Sequence, residues 1–448
     1  MRAALLLALA AADTCDLPLL PSFAARPARI DSDCPRVYVY DIPQLYDYEI
    51  PWPELHKANV TQIFGAPCHD GILDEFDTNQ YSLAIMILWR LATSERCGAV
   101  DDPKDADLYF VPTWPAAKGL PAWDRACGHP ANAKVKHLPY LNERTAHRHF
   151  FIVGKGHVVP KHDCKYLCKY WWLRPEGLLA RASRWAYSDQ YGRSHTLASY
   201  GPAPFDDARL AKQLVGDRIS SDQGIAPHLF SVPYPAAVHA WGAHSRPWGA
   251  HSRPILAAYV GGDRNGTFSY LRPKIAALCE ASDACETHVP HEGHRVCGVR
   301  CVPGLRRTMM RATFCLQPGG DSPYRKSVFD AALAGCIPVV FSQQLARVAP
   351  WQRGNFPEHF VVLNGAAVQR GEIDVIKHLA GIPQAKIAEL RRNLAGVAPA
   401  LQYSIDDSIR NDAFEALLRG ALAVATERER LRDRHARHES VVVLNTLL

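Results

Sequence analysis

The sequence predicts an α/β protein built on parallel sheets with helices on both faces. Three observations carry that expectation. Short apolar runs are separated by segments of helical period. The stretch Thr313–Phe341, TFCLQPGGDSPYRKSVFDAALAGCIPVVF, reads as buried strand, glycine-led loop, helix and second buried strand. The chain has 448 residues, enough for two or three domains with cores that need no staples.

Taken in order, the first strand is Arg36–Tyr40 (RVYVY), ended by Asp41-Ile42-Pro43. Asn79–Leu91 forms an amphipathic helix with Leu83, Ile87 and Leu91 on one stripe. Ala106–Pro112 and Phe150–Val153 are short buried strands. Lys161–Gly201, rich in Trp, Tyr and Arg, reads as a decorated lobe or insertion. Trp241–Pro247 (WGAHSRP) is copied as Trp248–Pro254, too short for a solenoid unit and so expected to be a duplicated surface loop. Ile255–Val260 is a strand, left by Gly261-Gly262-Asp263-Arg264, and Ser269–Glu280 is a helix. The tail Asp406–His438, dense in charges of both signs, is expected to be an exposed closing helix.

Within Thr313–Phe341, Ser322 stands where an N-cap belongs and Pro323 where the first helical residue belongs. Gly335 follows as a C′ glycine. Arg325 and Lys326 then fall in the first helical turn, where the positive pole of the macrodipole disfavours each cation by about 0.3–1 kcal/mol. A bound anion removes the conflict: backbone N–H groups, close-approach glycines and two cations make a seat for a diphosphate. Ligands of open α/β sheets bind beyond the carboxyl ends of strands. Gly261-Gly262-Asp263-Arg264 and Gly319-Gly320-Asp321-Ser322 are two such ends, each bearing glycines, and a nucleoside diphosphate fits between them. Asp330 either accepts from ribose hydroxyls or pairs with Lys326 at i,i+4.

The net charge of +6 is spread without a long basic run, which suits a small anionic ligand and gives no case for nucleic acid. Met1-Arg2 followed by Ala3–Ala12 resembles a short secretory apolar segment, a signal peptide or the remnant of a signal-anchor. Thirteen cysteines and the sequons Asn59-Val60-Thr61 and Asn265-Gly266-Thr267 fit an oxidising lumen. Cys68 with Cys97 and Cys164 with Cys168 are the expected pairs, while Cys315 and Cys336 read as buried thiols. Cys285, His288, His291, His294, Cys297 and Cys301 have spacing compatible with zinc, but in such a lumen the cysteines more often pair with each other. The DxD strings at Asp31–Asp33 and Asp105–Asp107 follow no strand, and no G-x-S-x-G elbow is present.

FCLQPGGDSPYRKSVFDAALAGCIPVVF closely resembles the C-terminal signature of exostosin-like glycosyltransferases (glycosyltransferase family 47), in their plant-type galactosyl/xylosyltransferase-like branch. RVYVYDIP, TNQYSLAIMILWRL, DPKDADLYFVP and SVPYP resemble further pieces of that pattern in order. The resemblance implies a GT-B fold, two facing Rossmann-like domains with parallel sheets, followed by a helical C-terminal tail. The expected divisions are 1–12 as leader, 35–230 as acceptor-side domain, 231–254 as linker, 255–400 as nucleotide-sugar domain and 401–448 as tail.

The resemblance further implies transfer from a UDP-sugar to a glycan acceptor with inversion, no structural need for a metal or other cofactor, and residence in the Golgi lumen. An N-terminal membrane anchor and complexes with other glycosyltransferases are the partner expectations. Carried onto this chain, the donor residues are Arg264, Ser322, Arg325, Lys326 and Asp330, with Gly261 beside them. Arg264, Arg325 and Lys326 would meet the charge developing on the departing diphosphate. An inverting transfer needs a general base from the N-terminal domain. Asp77 is the first choice because it adjoins TNQYS; Asp41, at a strand end, and Asp70 follow, and His69, Asp74 and Glu75 share the region. The branch carries a glutamate where Ala84 stands here, which motivates an alternative: a catalytically inactive scaffold subunit of a polysaccharide synthase.

Overall fold

The computed structural model describes residues 34–41, 52–67, 76–79, 82–112, 138–153, 183–187, 229–239, 253–262, 269–288, 305–320, 325–342, 358–426 and 429–430. All of them belong to the unit 33–448. The expectations for residues 1–12, for Asp70, Arg264 and Ser322, for Cys68, Cys164 and Cys168, and for most of the WGAHSRP repeat lie outside the described residues.

Two parallel sheets form the frame, as the α/β expectation and its GT-B refinement require. The first is six-stranded in the order β2-β1-β3-β4-β5-β6. Its strands are β1 (Val37–Val39), β2 (Ala99–Val100), β3 (Leu108–Phe110), β4 (His149–Val153), β5 (Ser183–Tyr187) and β6 (Leu229–Val232). The second is five-stranded in the order β11-β10-β9-β7-β8. It comprises β7 (Ile255–Val260), β8 (Cys285–His288), β9 (Ala312–Gln317), β10 (Ile337–Val340) and β11 (Val361–Val362). Every strand pairing in both is parallel.

In each sheet the strand order reverses once, between β1 and β3 and between β7 and β9. A reversal sends the two flanking connections to opposite faces and leaves a crevice beyond the carboxyl ends of those strands. The core strands of the second sheet are buried on both faces. Ala257, Tyr259, Phe314 and Leu316 pack one way; Ala258, Val260 and Cys315 pack the other. That explains their near-continuous apolar sequences.

The chain makes nine helical segments among the described residues that matter here. They are α1 (Val60–Phe64), α2 (Leu83–Thr93), α3 (Arg272–Glu280), α4 (Leu305–Arg311), α5 (Lys326–Leu333), α6 (Gly365–Arg370), α7 (Val375–Ala380), α8 (Gln384–Val397) and α9 (413–426). The helix expected over Asn79–Leu91 begins at Leu83 and is buried almost all round rather than on one stripe. Its Arg90 is fully buried and donates to Ser404 O at 3.0 Å and to Asp407 Oδ1 at 2.7 Å, with Asp412 Oδ2 at 3.4 Å. The 401–415 segment is thereby strapped to α2, and α9 places Phe414, Leu417, Leu418 and Ala421 in the core shared with β1 and α2.

The exposed closing helix is therefore corrected. The apolar period of 413–425 directs α9 inward, and the charges that dominate the tail's composition come mainly after it. A second correction concerns Lys161–Gly201: Ser183–Tyr187 within it is β5, paired on both sides, so at that point the segment is part of the sheet.

The cysteine pairing also differs from expectation. Cys97 is bonded to Cys34, because the parallel register of Val37 with Ala99 sets the two half-cystines side by side, Cα to Cα 5.1 Å. Cys315 and Cys336, read as thiols, are bonded across neighbouring strands β9 and β10, Cα to Cα 5.7 Å. Cys279 and Cys285 pair between α3 and β8, which takes Cys285 out of the zinc-compatible set.

Candidate functional site

The reversal point of the second sheet brings its two glycine loops together. Arg272, buried at the start of α3, donates from Nε to Gly319 O at 2.8 Å and from Nη1 to Gly262 O at 3.0 Å. Arg325 donates from Nη1 to Pro318 O at 3.0 Å. A Cβ on Gly261 would stand 3.2 Å from Arg325 Nη2, and one on Gly320 would stand 2.9 Å from Arg272 Nη2. The glycines leave each loop backbone directly against a guanidinium, where a side chain would push the arginine tip aside. The structure thus unites Gly261 with Arg325, at the ends of different strands.

Helix α5 starts later than the sequence predicts. Arg325, not Ser322, is the N-cap residue; its backbone is extended (φ −137°, ψ 149°), and Lys326 is the first helical residue. The Arg325 side chain folds back onto Pro318 O rather than along the helix. Arg325 makes no side-chain cap hydrogen bond, so among the described residues two cations open the positive pole of α5 without a cap. At the other end Gly335 adopts φ 71°, with Cys336 N–H donating to Ala331 O and Gly335 N–H to Ala332 O. That is a Schellman closure, as the C′ glycine predicts.

Lys326 Nζ contacts both carboxylate oxygens of Asp330, at 3.1 and 3.0 Å, and Asp330 Oδ1 also accepts from Ala237 N–H at 2.8 Å. Of the two roles weighed for Asp330, the i,i+4 ion pair is present, and the carboxylate is engaged by protein donors. In α5, Ser327 Oγ donates to Gln317 Oε1 at 2.7 Å, while the buried Gln317 Nε2 has no partner among the described residues.

Asp77 approaches this helix from the first half of the chain. Phe76 N–H donates to Ala237 O and Asp77 N–H to Ala66 O, each at 2.8 Å. Gly65, at φ 96°, makes that path passable, since a Cβ there would fall 2.3 Å from Asp77 O. Next along, Thr78 Oγ1 lies 2.8 Å from Phe64 O and 2.6 Å from His239 Nε2, and His239 Nδ1 donates to Tyr403 O at 2.7 Å. Burial pushes the Asp77 carboxyl up from its ordinary range, and the Lys326 charge pulls it part of the way back. A carboxylate of the first half and a cation of α5 are therefore in one electrostatic neighbourhood. Burial also holds the His239 imidazole down to about 3, so it is neutral at ordinary pH.

Asp41 is exposed just beyond β1, at the first sheet's reversal point, where its charge helps raise the Tyr38 phenol after burial has done most of the work. The described geometry ties Asp77, not Asp41, to α5. Arg272 was missed in sequence, although it carries the same signal as Arg325: a cation opening a helix. His239 and Thr78 had no such signal.

Among the described residues no group of three or more His, Cys, Asp or Glu side chains is placed to hold a metal, and no helix is long and apolar enough to cross a membrane.

The chain is similar to plant glycosyltransferases. It is 29% identical over 211 residues to "Probable xyloglucan galactosyltransferase GT13" of Arabidopsis thaliana, covering 44% of each chain. It is 24% identical over 440 residues to "Xyloglucan galactosyltransferase XLT2" of the same plant, covering 89% of this chain and 76% of that one. The chain thus spans less than half the length of the first of these relatives. Among solved structures, a glycosyltransferase from Rickettsia africae ESF-5 aligns at TM-score 0.34 and 10% identity, over 72% of this chain and 77% of that one. The Exostosin GT47 domain matches residues 32–347, most of the chain, and the protein belongs to that family.

Proposed function

We propose that the protein transfers a sugar from a UDP-sugar to a hydroxyl of a polysaccharide, with inversion, in the lumen of the secretory pathway. The carrying observation is the pair of strand ends at the β7/β9 reversal, closed by Arg272 and Arg325, with Arg325 and Lys326 opening α5. Backbone N–H groups of the glycine loops and of the start of α5 seat the diphosphate, and Arg325 and Lys326 complement its charge.

Asp77 is the general base of this reading. Burial raises its pKa, with Lys326 pulling it partly back, and a raised pKa makes it a better proton acceptor than an ordinary aspartate. The acceptor O–H gives its proton to Asp77, the oxygen forms its bond to the anomeric carbon, and the bond from that carbon to the diphosphate oxygen breaks. The electron pair leaves with UDP, where the cations on α5 receive the charge.

The scaffold alternative rests on Ala84. That residue is buried in the core around α2, so its methyl group fills space among apolar neighbours. This packing gives no support to a vacated catalytic position, and transfer is the better-supported reading.

The named relatives make UDP-galactose with a xyloglucan oligosaccharide the first pair to assay, followed by UDP-xylose, UDP-arabinose and UDP-glucuronic acid. Acceptor-dependent release of UDP is the expected result. Absence of release with every donor, together with no UDP binding by calorimetry, would overturn the proposal.

A further inference from the structure

The sequon Asn59-Val60-Thr61 lies on the surface, where the chain enters α1. Asn59, Thr61 and Gln62 are exposed. Ile63 and Phe64, one turn on, are buried in the core around α2 and hold the segment in place. Glu54, His56 and Lys57 in the preceding 3-10 turn are exposed as well, so the sequon stands on a solvated polar ridge.

The asparagine side chain is half engaged. Asn59 Oδ1 accepts from Thr61 N–H at 3.0 Å and from Thr61 Oγ1 at 3.2 Å, while Asn59 N–H donates to Gln62 Oε1 at 2.8 Å. A backbone N–H can only donate, so the Thr61 bond settles which carboxamide atom is the oxygen. Nδ2 enters none of these bonds. Capping by itself would be served as well by aspartate or serine, and it asks for no hydroxyl two residues on. The sequon supplies both the free amide nitrogen and that hydroxyl. Disulfides at Cys34–Cys97, Cys279–Cys285 and Cys315–Cys336 fit passage through an oxidising lumen, where such amides are modified.

We propose that Asn59 carries an N-linked glycan. The co-substrate is a lipid-diphosphate-linked oligosaccharide of the secretory pathway. Nδ2 forms a bond to the anomeric carbon of its reducing-end sugar and gives up one proton to a base of the host transferase. The bond from that carbon to the diphosphate oxygen breaks, and the electron pair leaves with the lipid diphosphate. Oδ1 is untouched by this step, so the modified residue still caps α1. The inference rests on the lumenal part of the reading above and is independent of the donor site.

The test expresses the full chain in a eukaryotic secretory host, with a reporter sequon on a flexible Gly/Ser tail at the C-terminus. Parent, Asn59→Asp, Thr61→Ser and Thr61→Val are treated in heavy-oxygen water with the amidase that releases N-glycans and turns each glycosylated asparagine into labelled aspartate. Peptide masses then read each site, against a control without the amidase. Asn59 should be labelled in the parent and in Thr61→Ser. Thr61→Val should lose that label, and Asn59→Asp should migrate as the parent less one glycan. Aspartate is itself a good cap, so Asn59→Asp separates loss of the glycan from loss of the helix start. An unlabelled Asn59 beside a labelled reporter would overturn the inference and leave the lumenal reading standing. A label that persists in Thr61→Val would overturn it too, because the modification would then not depend on the sequon. Absence of label at both Asn59 and the reporter would remove the lumenal reading, and this inference with it.

Discussion

Asp330 accepts a hydrogen bond from the Ala237 backbone N–H at 2.8 Å, 93 residues away in the chain, while holding Lys326 Nζ at 3.0 Å. One carboxylate thus fixes the cation of α5 and joins that helix to the strand exit that also receives Phe76 N–H. The candidate base and the candidate diphosphate seat are set against each other through Ala237 and Asp330.

Asp330→Ala should leave the Ala237 N–H unpaired and cost about 1–3 kcal/mol in urea unfolding. Asp330→Asn keeps an oxygen that can accept from Ala237 while losing the charge. It should recover most of that stability but still weaken UDP binding, because Lys326 loses its anchor. Equal stability of the alanine and parent proteins would show that the tie has no energetic weight.

Asp77→Asn should lower transfer by at least about 100-fold and leave UDP affinity unchanged, since a base acts on the acceptor and not on the nucleotide. The pH profile supplies a second readout. The base must be ionised, and burial has raised its pKa. kcat/KM should therefore rise with pH through a midpoint above the ordinary aspartate range. A flat acid limb in the parent, or full activity in Asp77→Asn, would return the role to another carboxylate such as Asp41.

What the sequence made legible was the geometry that is local along the chain. Gly335 as the C′ residue and Lys326 in the first turn of α5 could be read because a helix end demands particular residues within a few positions. The helix start was misplaced because Ser322-Pro323 is a good cap by composition, whereas Arg325, which bonds Pro318 O across the loop, is the N-cap residue. His239 was illegible for a different reason. Its partners Thr78 and Tyr403 lie 161 and 164 residues away, and a buried neutral histidine leaves no periodic trace. The inward-facing α9 was hidden by charge: the apolar spacing of Phe414, Leu417, Leu418 and Ala421 is overwhelmed in composition by the charged residues beyond 426.

Acidification should destabilise the protein through its buried histidines. His239 is held down to about 3 and His149 to about 4 by burial, against an ordinary value of 6.5. The unfolded chain therefore binds more protons than the folded one below pH 6.5, and stability falls as pH drops from there toward the folded values. The loss is about 2 kcal/mol per histidine by pH ~5. Asp412, pushed up to about 6 by burial, works in the opposite direction, since it takes up a proton more readily when folded. The measurement is accordingly a difference: urea midpoints of parent and His239→Gln between pH 7 and about 5. The variant should show the shallower acid loss. Identical pH slopes would mean that His239 is not the neutral, buried strut that its bond to Tyr403 O describes.

The duplicated heptad offers a test that needs no ligand. Arg253, the arginine of the second copy, is held by Met309 O at 3.0 Å, Ala312 O at 2.6 Å and Ala334 O at 2.7 Å. These carbonyls belong to α4, to the start of β9 and to the turn after α5, so one guanidinium gathers three connections at the amino end of the second sheet. Burial draws its pKa down to about 10, which leaves it charged at neutral pH. Arg253→Ala should strand those carbonyls and cost about 3 kcal/mol. Removing one whole copy of WGAHSRP is a gentler change. The remaining copy still places Arg-Pro directly before Ile255, so the strut is regenerated by the sequence itself. That deletion should alter stability by no more than about 0.5 kcal/mol. If the deletion costs as much as Arg253→Ala, the first copy has a structural duty of its own, and the repeat is more than a tolerated insertion.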